Sequence, residues 1–289
     1  MHGSLLLLTG LIAVVWRWRW RSTAGSWAAR WQSALVDFCL PPLMVMLSAG
    51  AVLAMGHHGT MMGWSVSPLG CWVSLGALGF ASGVVAHTLV RTAQTQLRLR
   101  QYRNVTLPTG GHARCLAIDL PVAAQVGLWH SSLLVSRGWL EHLTLAEQQA
   151  MVAHEQAHAD YRDPFWFLGL GMIRRSSIGL PNTQALWEEL LLLREIRADH
   201  RAASTNDPLL LAELLVKLSR QMTLATQGYS SDMELCVGFH ESLSLSRLEQ
   251  RVNALLEPGS VTEPAVPGPG RLMWLMVTLL PLTATWLHS

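Results

Sequence analysis

The residues with the clearest chemical potential are His154-Glu155-Gln156-Ala157-His158. Two histidines at i and i+4 project from one face of a helix about one turn apart, so both imidazoles can reach one metal ion, and Glu155 is placed to activate a metal-bound water. A catalytic zinc takes a third protein ligand and keeps a fourth position open. In the longer pattern HExxHxxGxxH the glycine position is Tyr161 and the third histidine position is Pro164, which excludes that arrangement. The other common solution is a glutamate from a later helix. Glu195-Ile196-Arg197-Ala198-Asp199 offers Glu195, with Asp199 one turn on and able to accept the second ring proton of a ligand histidine. Asp160, Asp163, Glu188 and Glu189 are rival acids, and Glu195 could instead pair with Arg194 or Arg197 on a solvated face.

These groups need elements to hold them. Thr144-Leu145-Ala146-Glu147 fits a capping box, which starts a helix at Leu145 and carries it past His158 toward Tyr161. A second helix is expected from Thr183 to Ala203, after Pro181-Asn182, and two more over Pro208 to Thr223 and Leu243 to Leu256. Ahead of the zinc-type helix, Leu116 to Asp119, Ala124 to Trp129 and Leu133 to Ser136 read as strands of a small sheet. The apolar stretch Pro164 to Ile173 is too short to cross a bilayer and either packs in the domain core or dips into the membrane interface.

Composition says where such a domain sits. Of 289 residues 50% are hydrophobic and only 14% charged, against about 25% charged in soluble domains, and mean hydropathy is +0.27. A purely soluble protein is disfavoured, as are disordered, collagen-like and coiled-coil classes. Cys39, Cys71, Cys115 and Cys236 show no disulfide or zinc-ligand spacing. Residues 1 to 118 hold nine arginines and one acid, Asp37, whereas residues 119 to 263 hold 11 basic and 18 acidic residues. The arginines flank apolar runs and form no continuous patch, so membrane anchoring is expected and direct nucleic-acid binding is not.

Four apolar runs are expected to span a bilayer, at about 5–20, 34–55, 71–90 and within 271–289. The second should kink at Pro41-Pro42, and Gly79 and Gly83 in the third would let another helix approach closely. Arginines between the first two runs and after the third face the cytoplasm under the positive-inside rule. The expected topology is a multi-pass cell (inner) membrane protein with both termini outside and the domain that carries His154 to His158 cytoplasmic. The first run lacks a basic leader region and a small-residue cleavage site, so it is expected to be a retained anchor. The expected domains are 1–92 with three spans, 93–257 the cytoplasmic domain with the candidate zinc site, 258–270 a Pro/Gly-rich linker, and 271–289 the last span.

At this point the residues resemble a family. Ala123 to Gly127, Leu133 to Gly138, the zinc-type helix, Arg162-Asp163 and Glu195 to Asp199 are similar to the integral-membrane zinc metallopeptidases of the BlaR/MecR type, and more distantly to HtpX-type membrane proteases. The layout of four spans with the peptidase between the third and fourth is similar as well. The resemblance implies a mainly α, multi-pass fold with a cytoplasmic α+β gluzincin-like domain. It implies one zinc ion (Zn2+) per chain held by His154, His158 and Glu195, Glu155 as general base, Asp199 behind a ligand, and Gln125, Val126 and Gly127 as an edge strand that a substrate backbone joins. No penicillin-binding domain follows the fourth run up to Ser289, so the chain is not expected to sense β-lactams by acylation itself. HtpX-type proteins usually carry further spans between the zinc helix and the glutamate helix, whereas here only the Pro164 to Ile173 stretch is strongly apolar.

Two further groups remain. His240 could stabilise a tetrahedral oxyanion, or it could be a capping or surface residue. The loop His57-His58-Gly59-Thr60-Met61-Met62 combines imidazoles and thioethers that suit copper, against the default of a flexible polar loop. The expected function is a membrane zinc endopeptidase acting on a cytoplasmic or membrane-proximal protein, such as a transcriptional repressor or the chain itself, with a separate sensor or repressor as a further partner. HtpX-like quality control and a non-catalytic membrane signalling or scaffold protein are the alternatives. A transporter is disfavoured, because the expected spans contain few buried ionisable groups, with Asp37 and His87 near the cytoplasmic ends, whereas an ion path would need charge pairs along it.

Overall fold

The computed structural model describes residues 2–22, 25–56, 60–61, 64–65, 68–128, 131–226, 245–257 and 282. It is mainly helical with a small sheet, and its described residues form two compact units. One is drawn from Met1–Arg91 and Leu170–Glu189, the other from Thr92–Gly169 and Leu190–Thr262.

The first unit holds α1 (His2–Arg19), α2 (Trp27–Met55), the two-residue strands β1 (Thr60–Met61) and β2 (Trp64–Ser65), and most of α3 (Pro68–Leu99). Ser26 caps α2 by accepting the Ala29 amide, and the helix continues through buried Pro41 and Pro42 as one element. Trp16 donates its indole N–H to Asp37 at 2.7 Å, and Arg17 donates to the Phe38 carbonyl at 3.1 Å, which fastens α1 along α2. The segment 170–189 belongs here too: Asn182 donates to the Arg17 carbonyl at 2.7 Å, and Glu189 pairs with Arg30 at 2.7 Å. From composition and patterning alone, that segment is expected within the soluble domain.

Among the described residues two helices, α2 and α3, are long and apolar enough to cross a membrane. At 1.5 Å per residue they measure about 43 and 48 Å, against a hydrocarbon core of about 30 Å. The most apolar stretch of α3 is only 11% buried and presents Leu69, Trp72, Val73, Phe80 and Leu89 outward. The expected first span forms the helix α1, and the expected fourth lies outside the described residues, as does the 258–270 linker. Among the described residues, no other element comes within 4 Å of the position a side chain would take at Gly79 or Gly83. A close approach in this unit is at Gly70, whose added Cβ would meet the His2 Cβ at 2.7 Å.

The second unit is built on a four-stranded sheet in the order β3-β4-β6-β5, comprising β3 (Arg103–Thr106), β4 (His112–Leu116), β5 (Ala123–Val126) and β6 (Ser132–Ser136). β3 and β4 form a hairpin through Gly110 and Gly111, both at positive φ; β4 runs parallel to β6, and β5 antiparallel to β6. The strand pattern in the sequence omits β3 and starts its first strand at Leu116, where β4 ends, because the alternation in His112 to Leu116 is carried only by the small side chains of Ala113 and Cys115 and contains no β-branched or aromatic residue. Of the expected strand Ala124 to Trp129, β5 covers the part up to Val126.

Ser136 ties the end of β6 to the segment before β5. Its hydroxyl caps α4 (Arg137–His142) by accepting the Trp139 amide at 3.0 Å, accepts the Val122 amide at 2.9 Å, and donates to the Leu120 carbonyl. The 118–122 segment is thereby held against the start of α4, which delivers the chain into β5. The approach is so close that an added Cβ at Gly138 would lie 1.8 Å from the Asp119 carbonyl oxygen. That contact is with backbone and no rotamer relieves it. Gly138→Ala is therefore expected to cost about 3 kcal/mol, the upper end for overpacking, read as a lowered urea midpoint of the purified chain; an unchanged midpoint would remove this close approach as a constraint.

Helices α5 (Leu145–Asp160), α8 (Pro208–Thr226) and α9 (Leu245–Leu256) complete the second unit, together with the start of α6 (Asp163–Ser176) and the later part of α7 (Thr183–Ala203). The capping box at Thr144 and Glu147 is formed in both directions, at 3.3 and 2.7 Å. Trp139, fully buried, packs with Val135, Leu143, Ala150, Leu211, Leu214 and Leu255 in the core. The apolar stretch 164–173 lies in α6, with Phe167 and Leu170 buried and Trp166 exposed.

Candidate metal centre

The metal-type residues come from two helices. His154 and His158 sit one turn apart on α5, and Glu195 and Asp199 one turn apart on α7, so each helix presents a pair from one face. His154 Nε2 and His158 Nε2 are 3.2 Å apart, and they lie 3.5 and 3.7 Å from the two Glu195 oxygens. All three side chains are buried or nearly so. Ligand distances of about 2.0–2.1 Å in a tetrahedral site put neighbouring donor atoms about 3.3 Å apart. His154, His158 and Glu195 thus form a group that could hold a metal ion.

The remaining ring nitrogens are held from the opposite side. His154 Nδ1 is 2.9 Å from Asp199, and His158 Nδ1 is 2.7 Å from Asp163, leaving both Nε2 atoms to face the shared point. Carboxylates in these positions fix the tautomer and ring angle of metal-binding histidines. Asp163 reaches His158 across the two-residue turn between α5 and α6, where Arg162 adopts φ 54, a left-handed conformation unusual for a residue with a side chain.

Three arginines stand behind this layer. Arg251 on α9 forks onto Asp199 at 2.7 and 2.8 Å, and Arg197 pairs with Asp163 at 2.5 Å while lying over the Tyr161 ring at 3.9 Å. Arg194 pairs with Glu195 at 2.7 Å. Sequence spacing assigns neither Arg251 nor the outer role of Asp163. The i, i+4 rule operates within a helix, whereas Asp163–His158 depends on the turn between two helices and Arg251–Asp199 on packing across 52 positions.

The other rival acids are elsewhere. Glu189 is paired with Arg30, Glu188 accepts from Gln184 at 2.8 Å, and Asp160 accepts from Gln156 at 2.9 Å. Glu188 precedes Glu195 by about two helical turns, roughly 10 Å along α7. Glu195 is both near the histidines and paired with Arg194, but it is buried and on no solvated face.

Glu155 turns toward β5 and accepts the Gln125 backbone N–H at 2.8 Å. β5 is an edge of the sheet, so Gln125 and Val126 lie on an edge strand beside the histidines; Gly127 lies just past it at φ 119. A recess of about 120 Å³ is lined by Glu155, His154, Glu195 and Arg251 together with apolar side chains that include Met151, Leu211, Leu215, Leu218 and Leu248. His240 lies outside the described residues, and so do His57, His58, Gly59 and Met62 of the loop read as a copper candidate.

Electrostatics follow from burial against fixed charge. Burial opposes ionisation of Glu195, but Arg194, His158 and Arg251 outweigh it and hold the carboxyl well below its ordinary range. Burial likewise disfavours charge on Asp199, and Arg251 more than offsets this. For Glu155 burial prevails, and the carboxyl is pushed up despite the nearby histidines and the Gln125 N–H. The His154 ring is desolvated, yet Asp199 and Glu195 hold its pKa up at about 10. The anionic surroundings that favour a proton on this ring are the kind that favour a metal cation in its place. No family model, curated protein or solved structure matches the chain.

Proposed function

We propose that this chain is a membrane zinc endopeptidase that cleaves a cytoplasmic or membrane-proximal protein. The observation that carries the reading is the convergence of His154, His158 and Glu195, each braced from behind, with a carboxylate of raised pKa, Glu155, next to them in a recess flanked by an edge strand. When bound, the metal supplies Lewis-acid polarisation of the scissile carbonyl and lowers the pKa of water.

The chain's own groups do the rest. Glu155 takes a proton from the attacking water and returns it to the leaving amine, work for which a carboxyl pushed above its ordinary value is better matched than an exposed one. Asp199 and Asp163 keep the two rings turned inward. The substrate backbone adds along β5 near Gln125, and the recess beside Glu155 admits an apolar side chain.

Membrane attachment is supported by α2 and by the outward apolar face of α3. The arginines after the third apolar run support a cytoplasmic peptidase domain. Four spans, outward termini and an inner-membrane location complete the reading, with a repressor or the chain itself as substrate and a separate sensor as partner.

Metal removal tests it. The detergent-purified full chain, loaded with zinc, is expected to hold about one ion and to cut a protein substrate at a defined site; chelation should abolish cleavage and zinc should restore it. Cleavage indifferent to chelation, or metal-replete protein without zinc, would sink the proposal. Cutting at many sites in unfolded proteins would favour quality control as the role.

A further inference from the structure

We propose that Arg251 is a positioning residue of the metal centre and that metal binding is therefore coupled to the seating of α9. The inference rests on the metal-binding reading above. Arg251 is buried, and one guanidinium serves both carboxylates that α7 brings to the centre. Its Nε and Nη2 fork onto the Asp199 carboxylate at 2.7 and 2.8 Å, and its Nη1 lies 3.4 Å from Glu195 Oε2. Asp199 in turn meets His154 Nδ1 at 2.9 Å. Glu195 is thus held directly and His154 through one carboxylate.

The provenance of this side chain is what makes it informative. His154 and His158 come from α5, and Glu195, Asp199, Arg194 and Arg197 from α7; the guanidinium on Asp199 comes from a third helix, much later in the chain. α9 has its own hold on the fold, with Leu255 buried in the core and Val252 packed against it. Loss of the Arg251 contacts should disturb the metal centre more than it displaces the helix.

Two roles for Arg251 predict opposite signs. A cation that acts only as a counter-charge sits close enough to a divalent ion to weaken its binding, so removing it should tighten zinc. A fork that orients Asp199 and Glu195 strengthens binding, so removing it should loosen zinc. A lysine, as a point charge, cannot reproduce a two-pronged contact. Coupling is also reciprocal: if a seated α9 raises zinc affinity, zinc must stabilise the seated α9 by the same factor.

The full chain in detergent allows both sides to be read. Zinc affinity is measured by chelator competition for wild type, Arg251→Gln and Arg251→Lys, with the visible spectrum of the cobalt-substituted forms as a readout of ligand geometry. Amide hydrogen exchange over residues 247–256 is followed with and without zinc. Both variants are expected to bind zinc about 10–100-fold more weakly, as for other outer partners of metal ligands, with an altered cobalt spectrum. Zinc should slow exchange in α9 of wild type and lose that effect in the variants. Equal or tighter zinc in Arg251→Gln, full rescue by lysine, or wild-type α9 exchange indifferent to zinc would each overturn the inference. Should a variant fail to fold, the wild-type exchange experiment still decides. Wild type that binds no zinc overturns the metal centre itself, a result visible before any variant is made; zinc-binding wild type with unaffected variants overturns only the role of Arg251.

Discussion

Glu155→Gln is expected to lower kcat/KM for peptide cleavage by about 10²–10⁴-fold, the range contributed by a positioned acid or base, while zinc content stays at the wild-type value. The substitution isolates proton transfer. Glutamine keeps the length of the side chain, and its amide oxygen can still accept the Gln125 N–H that Glu155 accepts at 2.8 Å, so the tie between α5 and β5 survives. What disappears is the ability to take a proton from water and return it to the leaving nitrogen. Cleavage assays paired with metal analysis read the two effects separately. Undiminished cleavage would remove Glu155 from the chemistry, and loss of zinc would make its role structural.

Glu195→Gln is expected to strip the site of zinc, with a loss in affinity larger than the 10–100-fold typical of outer partners. A neutral amide is a poor ligand for zinc. The same change leaves Arg194 and Arg251 facing a buried group with no charge, and breaking one partner of a buried pair costs about 3–5 kcal/mol. Two consequences are therefore predicted, metal loss and a lower midpoint of thermal unfolding in the absence of metal. Glu188→Gln supplies the comparison, because Glu188 is half-buried two turns earlier on the same helix and accepts from Gln184 there; it should keep its zinc. Glu195→Gln that retains zinc as tightly as wild type would remove it from the ligand set.

The helices that carry the site were legible to within a few residues. α7 runs over Thr183–Ala203 as its start signal and apolar run suggest, and α5 begins at the capping box of Thr144 and Glu147. Local backbone chemistry is enough for that, since a cap and a 3.6-residue period are properties of neighbouring residues. The sheet was less legible. β3 is largely exposed and polar, β4 places only the small Ala113 in the core, and their pairing comes from each other and from β6, a partner that lies beyond any local pattern.

By itself the sequence determined that two histidines share one helix face, that a Glu-x-x-x-Asp pair shares another, and that the chain contains stretches apolar enough for a bilayer. Spacing along a helix dictates which side chains point the same way, so these conclusions needed no partner element. The tertiary structure alone decided which acid meets the histidines. Glu189 is taken by Arg30, Glu188 lies two turns before Glu195 on the same helix, Asp163 meets the back of His158 across the turn at Arg162, and Glu195 is left to face both Nε2 atoms. It also decided that Arg251 closes the arrangement from a helix far along the chain. Distances between elements are set by how their apolar faces pack, and packing is a property of the whole fold, which one segment's periodicity does not contain.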